Sequence, residues 1–201
     1  LEKFFAGEEI PGDLEMQAMK EAMKRAELFP LLCCSSQLTW GVRTVLDFLV
    51  QLMPNAYEME EIHALKGAIG TKTVEIHPKD EAPFAALVFK TTNEPHVGEV
   101  SYFRTFSGAV VSGAEVYNAS RDVPEKLNHL AIPQGKERIE VVRLFPGDIG
   151  CVAKLKNTHT NDTLSTKEQS VRLPAVPFPD PLVSFAIEAA ARADEEKLQM
   201  G

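Results

Sequence analysis

At 201 residues, 44% hydrophobic and 25% charged, the chain has enough apolar material for one or two cored domains. Its 21 basic residues are outnumbered by 29 acidic ones, a formal charge of −8, which excludes broad clamping of a phosphate backbone and confines any RNA contact to a local patch. No apolar run approaches a membrane span, and the first residues, LEKFFAGEE, lack the basic-then-apolar order of a signal peptide, so a cytoplasmic location is expected.

In chain order, Asp13 is the expected N-cap of a helix whose apolar positions Leu14, Met16, Ala18, Met19, Ala22, Met23 and Ala26 recur near the helical period. Phe29-Pro30 ends it. The run 31–34 reads as a short buried strand, and Val42, Val45, Leu46, Leu49, Val50 and Met53 trace the buried face of a second helix stopped by Pro54. Helix, strand, helix predicts one edge of an α/β domain over residues 1–56. The pattern weakens over 57–81, broken by Gly67, Gly70 and Pro78, which is the expected linker and barrel entry.

Next comes PFAALVFKTTNEPHVGEVSYFRTFSG, residues 83–108, which reads as a hairpin. Phe84 to Lys90 alternate, Asn93, Pro95 and Gly98 mark the turn, and Val100, Tyr102, Phe103 and Phe106 lie on the return strand. Further short strands are expected at 115–118, 126–130, 138–143, 149–155 and 170–173. That regular spacing predicts a closed β-barrel over 82–177 rather than an open sheet. A last strand is expected at 182–187, before a helical pattern that starts at Asp194. The chain begins at Leu1 rather than Met and stops at Met200-Gly201, inside that pattern, so a truncated piece is expected.

Titratable residues offer little by spacing. Cys33, Cys34 and Cys151 lie in apolar runs without a CxxC pattern and read as buried reduced thiols. His63, His77, His96, His129 and His159 are scattered, with no metal-ligand spacing and no nucleophile and base arrangement. Gly67-Ala68-Ile69-Gly70-Thr71-Lys72-Thr73 imitates a phosphate loop but has Thr71 between glycine and lysine, and neither a buried strand nor a helix flanks it. It reads as a turn. The matches to N-x-S/T at Asn118 and Asn161 have no consequence in a cytosolic chain.

The hairpin resembles the opening of the second domain of elongation factor G, where an EPFAALVFK-type strand leads into VG-x-x-x-x-FR-x-x-SG. Gly147-Asp148-Ile149 and Asn161-Asp162-Thr163-Leu164 are similar to that domain's GDI and GDTL segments, with Asn161 in place of glycine. Residues 124–135, PEKLNHLAIPQG, depart from the family's wording. The front resembles the end of the family's GTP-binding domain, and the segment from Phe178 resembles the start of its third domain. The implied fold is an α/β fragment (1–56), a linker (57–81), a closed β-barrel (82–177) and the start of a truncated α/β sandwich (178–201).

The resemblance implies a ribosomal translocation factor whose intact form binds GTP, magnesium and the ribosome and moves tRNA and mRNA. A ribosome-binding paralogue without GTP hydrolysis and a purely structural barrel remain open beside it. Cys33-Cys34-Ser35-Ser36 resembles the family's CGSA guanine motif, with Ser35 and Ser36 as partial nucleotide contacts and Cys34 and Ser36 as departures. No DxxG or NKxD sequence is present, so this piece is expected neither to hydrolyse GTP nor to hold it. Lys90 and Arg104 in the hairpin, and Arg143, Lys154 and Lys156 around the GDI-like segment, are the implied candidates for small-subunit rRNA phosphates. Their alternative is a solvated face or pairing with Glu99, Glu140 and Asp148. Other implied partners are the remaining domains of the parent chain. No membrane partner is expected, and nothing in the sequence bears on oligomeric state.

Overall fold

Two stretches of helical period form helices, and the longer run of alternating residues forms sheet. The computed structural model describes residues 2–59, 62–67, 72–135 and 137–189. Helices α1 (Glu2–Phe5), α2 (Gly12–Lys24) and α3 (Val42–Leu52) are followed by one 3-10 turn, Ala56–Glu58. Pro11, not Asp13, is the N-cap of α2; Asp13 and Glu15 lie in its first turn and Lys24 in its last, each where the helix dipole favours its charge. Helix α3 ends at Met53, which turns extended (φ −72°, ψ 130°), the conformation forced on a residue before proline. Asn55 then caps the 3-10 turn by accepting from Tyr57 N (2.9 Å), while Glu58 accepts from Asn55 N (2.9 Å).

The front of the chain corrects further expectations: of the face read as buried in the second helix, Leu46, Leu49, Val50 and Met53 are exposed, and Leu52 is the residue that α3 buries. No strand forms at 31–34, where Leu31 is 93% exposed and no ladder partner is present among the described residues; only an isolated bridge, Ser35 to Trp40, follows. A four-residue apolar run needs a neighbouring strand to satisfy its backbone, and none lies beside it. Cys33 and Cys34 are accordingly exposed, and Cys151 alone of the cysteines is buried.

The strands are β1 (Ile62–Lys66), β2 (Thr73–Ile76), β3 (Ala85–Glu94), β4 (Gly98–Ser107), β5 (Val110–Val111), β6 (Glu115–Asn118), β7 (Val123–Lys126), β8 (Ala131–Gln134), β9 (Glu137–Glu140), β10 (Arg143–Leu144), β11 (Ile149–Ala153), β12 (Thr163–Ser165) and β13 (Val171–Arg172). Eight form an antiparallel sheet in the order β7-β6-β12-β3-β4-β11-β8-β9. This order has two ends, so the expected barrel closure is not seen in the pairing of the described residues. The open ends are β7 and β9; after β9 the chain leaves the ladder, and β10 pairs with β5 in a separate ribbon. Val110 and Leu144 of that ribbon still join Val88, Phe103, Leu127, Leu130, Val152 and Leu164 in one apolar core.

The segment expected as a linker supplies structure of its own. Strands β1 and β2 pair with each other, and β1 also pairs with β13, making a second small sheet. It packs Ala64, Val171 and Leu173 against Ala85 and Leu87, so β3 is buried on both faces. That double burial explains why β3 reads as a continuous apolar run, Ala85 to Val88, rather than a strict alternation. The segment 182–187 is exposed and forms no strand, and the helix expected from Asp194 lies outside the described residues. Gly67 and Lys72 are described, but residues 68–71 of the phosphate-loop imitation, and with them its reading as a turn, lie outside the described residues. No described helix is long and apolar enough to cross a membrane.

Candidate functional site

The two turns that resemble family motifs are built for structure. Phe145-Pro146-Gly147-Asp148 reverses the chain with Pro second and Gly147 third at φ 96°, the residue order of a type II turn. Asp148 closes it by accepting from Phe145 N at 2.8 Å, and Gly147 N donates to Thr105 O at 2.8 Å, fixing the turn to β4. The second turn holds Asn161 at φ 73°, the left-handed region, where asparagine is the common substitute for glycine. Its side chain grips a distant peptide in both directions, donating from Nδ2 to Val176 O (3.0 Å) and accepting from Val176 N at Oδ1 (2.9 Å).

A buried polar network positions the loop between β11 and β12. Glu125, 7% exposed on β7, accepts from Asn157 N at 2.7 Å, Thr158 Oγ1 at 3.1 Å and Lys156 N at 3.3 Å. Asp162 Oδ2 accepts from Arg121 Nε at 2.7 Å, His159 N at 2.9 Å and Asn118 Nδ2 at 3.0 Å. Each carboxylate thus meets several donors, as a buried charge requires. The sequon-like Asn118 is fully buried in this network.

The nucleotide candidates have little to offer alone. Ser35 N donates to Trp40 O (2.9 Å), and Ser35 Oγ accepts from Leu38 N (3.3 Å), so both groups are spent within the turn. Ser36 is exposed in that turn, and its amide has no partner among the described residues. Gly41 follows at φ 72°, and a side-chain carbon there would lie 2.8 Å from Cys33 O, so the return of the chain past Cys33 is tight. Nor do the described residues gather three His, Cys, Asp or Glu side chains that could hold a cation. One amide without a phosphate cradle does not fit GTP and magnesium.

The five basic candidates are separated. Lys90 Nζ lies 5.9 Å from the Tyr102 ring, the Arg104 guanidinium 5.4 Å from Phe106, and that of Arg143 5.2 Å from Phe145, each a cation-π contact that leaves the charge exposed. Lys154, at φ 61°, donates its backbone N–H to Glu99 O at 2.8 Å, and Lys156 is held by Glu125 as above. Among the described residues none of the five makes an ion pair. The acids named as alternative partners are otherwise engaged or apart: Glu140 meets His129, and Asp148 closes its turn. Arg104 lines an apolar cavity of about 220 Å³ with Ala56, Met59, Ile62 and Phe106, whereas Lys154 lines a separate cleft.

That second cleft, about 470 Å³, contains groups that spacing did not join: His96, Val97, Lys126, Asn128, His129, Ala153 and Lys154. The β3–β4 turn, the β7–β8 loop and the end of β11 converge there and bring two of the five histidines together. No local sequence signal shows this; the convergence arises from non-local pairing.

Residues 83–167 match the family model described as elongation factor G domain 2. A crystal structure of a protein from Thermus thermophilus is similar over 100% of the chain, with 28% identity and a TM-score of 0.73, and the chain spans 27% of that protein's length.

Proposed function

We propose, from the premise that this is an elongation factor G-type chain whose domain 2 occupies residues 83–167, that it serves a cytoplasmic translation factor as the module that docks on small-subunit rRNA. In this reading residues 1–56 continue a GTP-binding domain, 57–81 lead into the barrel-like domain of 82–177, and 178–201 open a third domain. The parent factor would bind GTP and magnesium through other residues. Its role would be movement of tRNA and mRNA by a change of domain contacts coupled to hydrolysis.

One observation supports docking by this chain: Lys90, Arg104, Arg143, Lys154 and Lys156 make no ion pair among the described residues, although acids outnumber bases in the chain. Unpaired cations on strand faces and turns release counterions when they meet phosphates, which makes the contact salt-dependent. Co-sedimentation of the 201-residue chain with small ribosomal subunits over a salt series tests this. The expected result is association that weakens as salt rises and weakens further when the five are changed to glutamine. No association at low salt would leave a purely structural module as the reading.

A further inference from the structure

We propose that the cleft formed by Lys126, Lys154, His96, His129 and Asn128 is a binding site for a phosphate or phosphodiester group. Three connections meet there, and the lining contains two ammonium groups, two imidazoles and one carboxamide, with no carboxylate. In a chain of formal charge −8, such a cleft is a local reversal of sign. Among the described residues neither Lys126 nor Lys154 makes an ion pair. Glu115 sits across the ladder from Lys126 without an ion pair among the described residues, and Glu94 is taken by Arg138 at 2.9 Å and Tyr102 at 3.1 Å. Among the described residues one carboxylate side chain meets the lining, that of Glu140, 3.1 Å from His129 Nδ1.

The backbone gives an independent indication. His96 (φ 67°), His129 (φ 54°) and Lys154 (φ 61°) are all in the left-handed region, one from each converging connection. Non-glycine residues adopt it at some cost, and such residues concentrate where side chains are presented for binding. Lys154 is held in place by its N–H bond to Glu99 O (2.8 Å), and the Lys154–Lys156 segment by Glu125. A tetrahedral anion with several acceptor oxygens suits donors that arrive from three sides, whereas a planar carboxylate would engage fewer of them.

The ligand would come from free phosphate or from an RNA backbone. The second source rests on the proposal above that the chain docks on rRNA. The test follows the ring-proton NMR signals of the five histidines in the 201-residue chain, titrated in parallel with inorganic phosphate and with a single-stranded RNA oligonucleotide. Saturable shifts of His96 and His129, with His63 and His159 still, are expected, and the arm producing them identifies the source. Lys126→Gln and Lys154→Gln should each lower the salt slope of RNA binding by about 1. Still His96 and His129 signals in both arms would overturn the cleft. Ribosome co-sedimentation separates the two readings: association kept with those signals still removes the cleft alone, and loss of both removes the docking reading as well.

Discussion

Asn118 donates from Nδ2 to Asp162 Oδ2 at 3.0 Å, joining the end of β6 to the turn that opens β12. The same nitrogen lies 3.1 Å from Asn157 O and 3.1 Å from Thr158 Oγ1, so its two protons are shared among three acceptors. Oδ1 meanwhile accepts from Ser120 N and Arg121 N. Asn118→Ala should therefore strand several buried groups and destabilise the chain by about 1–3 kcal/mol. Urea unfolding measures it, and an unchanged midpoint would show that the network adds nothing to stability.

Gly108 is the glycine of the hairpin's closing SG, and geometry explains it. It sits at φ 66°, and a side-chain carbon would lie 2.4 Å from Ala82 O and 2.6 Å from Phe84 N. Backbone on both sides cannot yield as a flexible side chain would. Gly108→Ala should cost on the order of 3 kcal/mol or prevent folding. Circular dichroism melting of the variant checks this; a wild-type melting curve would contradict the close approach.

The hairpin was legible because alternation, turn residues and glycine positions are local properties, and β3 and β4 fall where they predict. Ser36, Lys90 and Arg104 lie exposed on a turn or a strand of that local structure. What was not legible depends on distant partners. Whether 31–34 forms a strand depends on a neighbour to bond it, and whether the sheet closes depends on its end strands β7 and β9 pairing, which they do not among the described residues. The grouping of His96 with His129 and Lys154 comes from three connections brought together by β4 pairing with both β3 and β11. No spacing rule encodes that.

Asn161 tests whether a departure from the family's glycine is tolerated or used. Its φ of 73° suits glycine, yet its side chain makes two bonds to the Val176 peptide that glycine cannot make. Asn161→Gly should lose those bonds, about 0.5–1.5 kcal/mol each before backbone relief. Asn161→Val should lose more, because a β-branched residue is strained at positive φ. The expected stability order is wild type, then glycine, then valine, with faster amide exchange at Val176 in both variants. A valine variant as stable as wild type would contradict it.

The three tyrosines make a pH prediction with a definite sign. Tyr57 Oη donates to Asp80 Oδ1 at 2.6 Å, and that bond, aided by burial and by the charge of Asp80, pushes its pKa up to about 12. Tyr117 is raised chiefly by its hydrogen bond to Asp122, and Tyr102 chiefly by burial, with Glu94 adding to it. In each case the folded chain binds the phenolic proton more tightly than the unfolded chain, whose tyrosines titrate at about 10. The stabilisation is therefore complete below about pH 10 and is lost as pH rises through the folded values, reaching about 12 for Tyr57. Ultraviolet titration should show the folded chain forming phenolate later than the urea-unfolded chain, which titrates at about pH 10, with Tyr57 rising last. Tyr57→Phe should remove the latest step; coincident folded and unfolded curves would mean that the Asp80 and Asp122 bonds do not hold in solution.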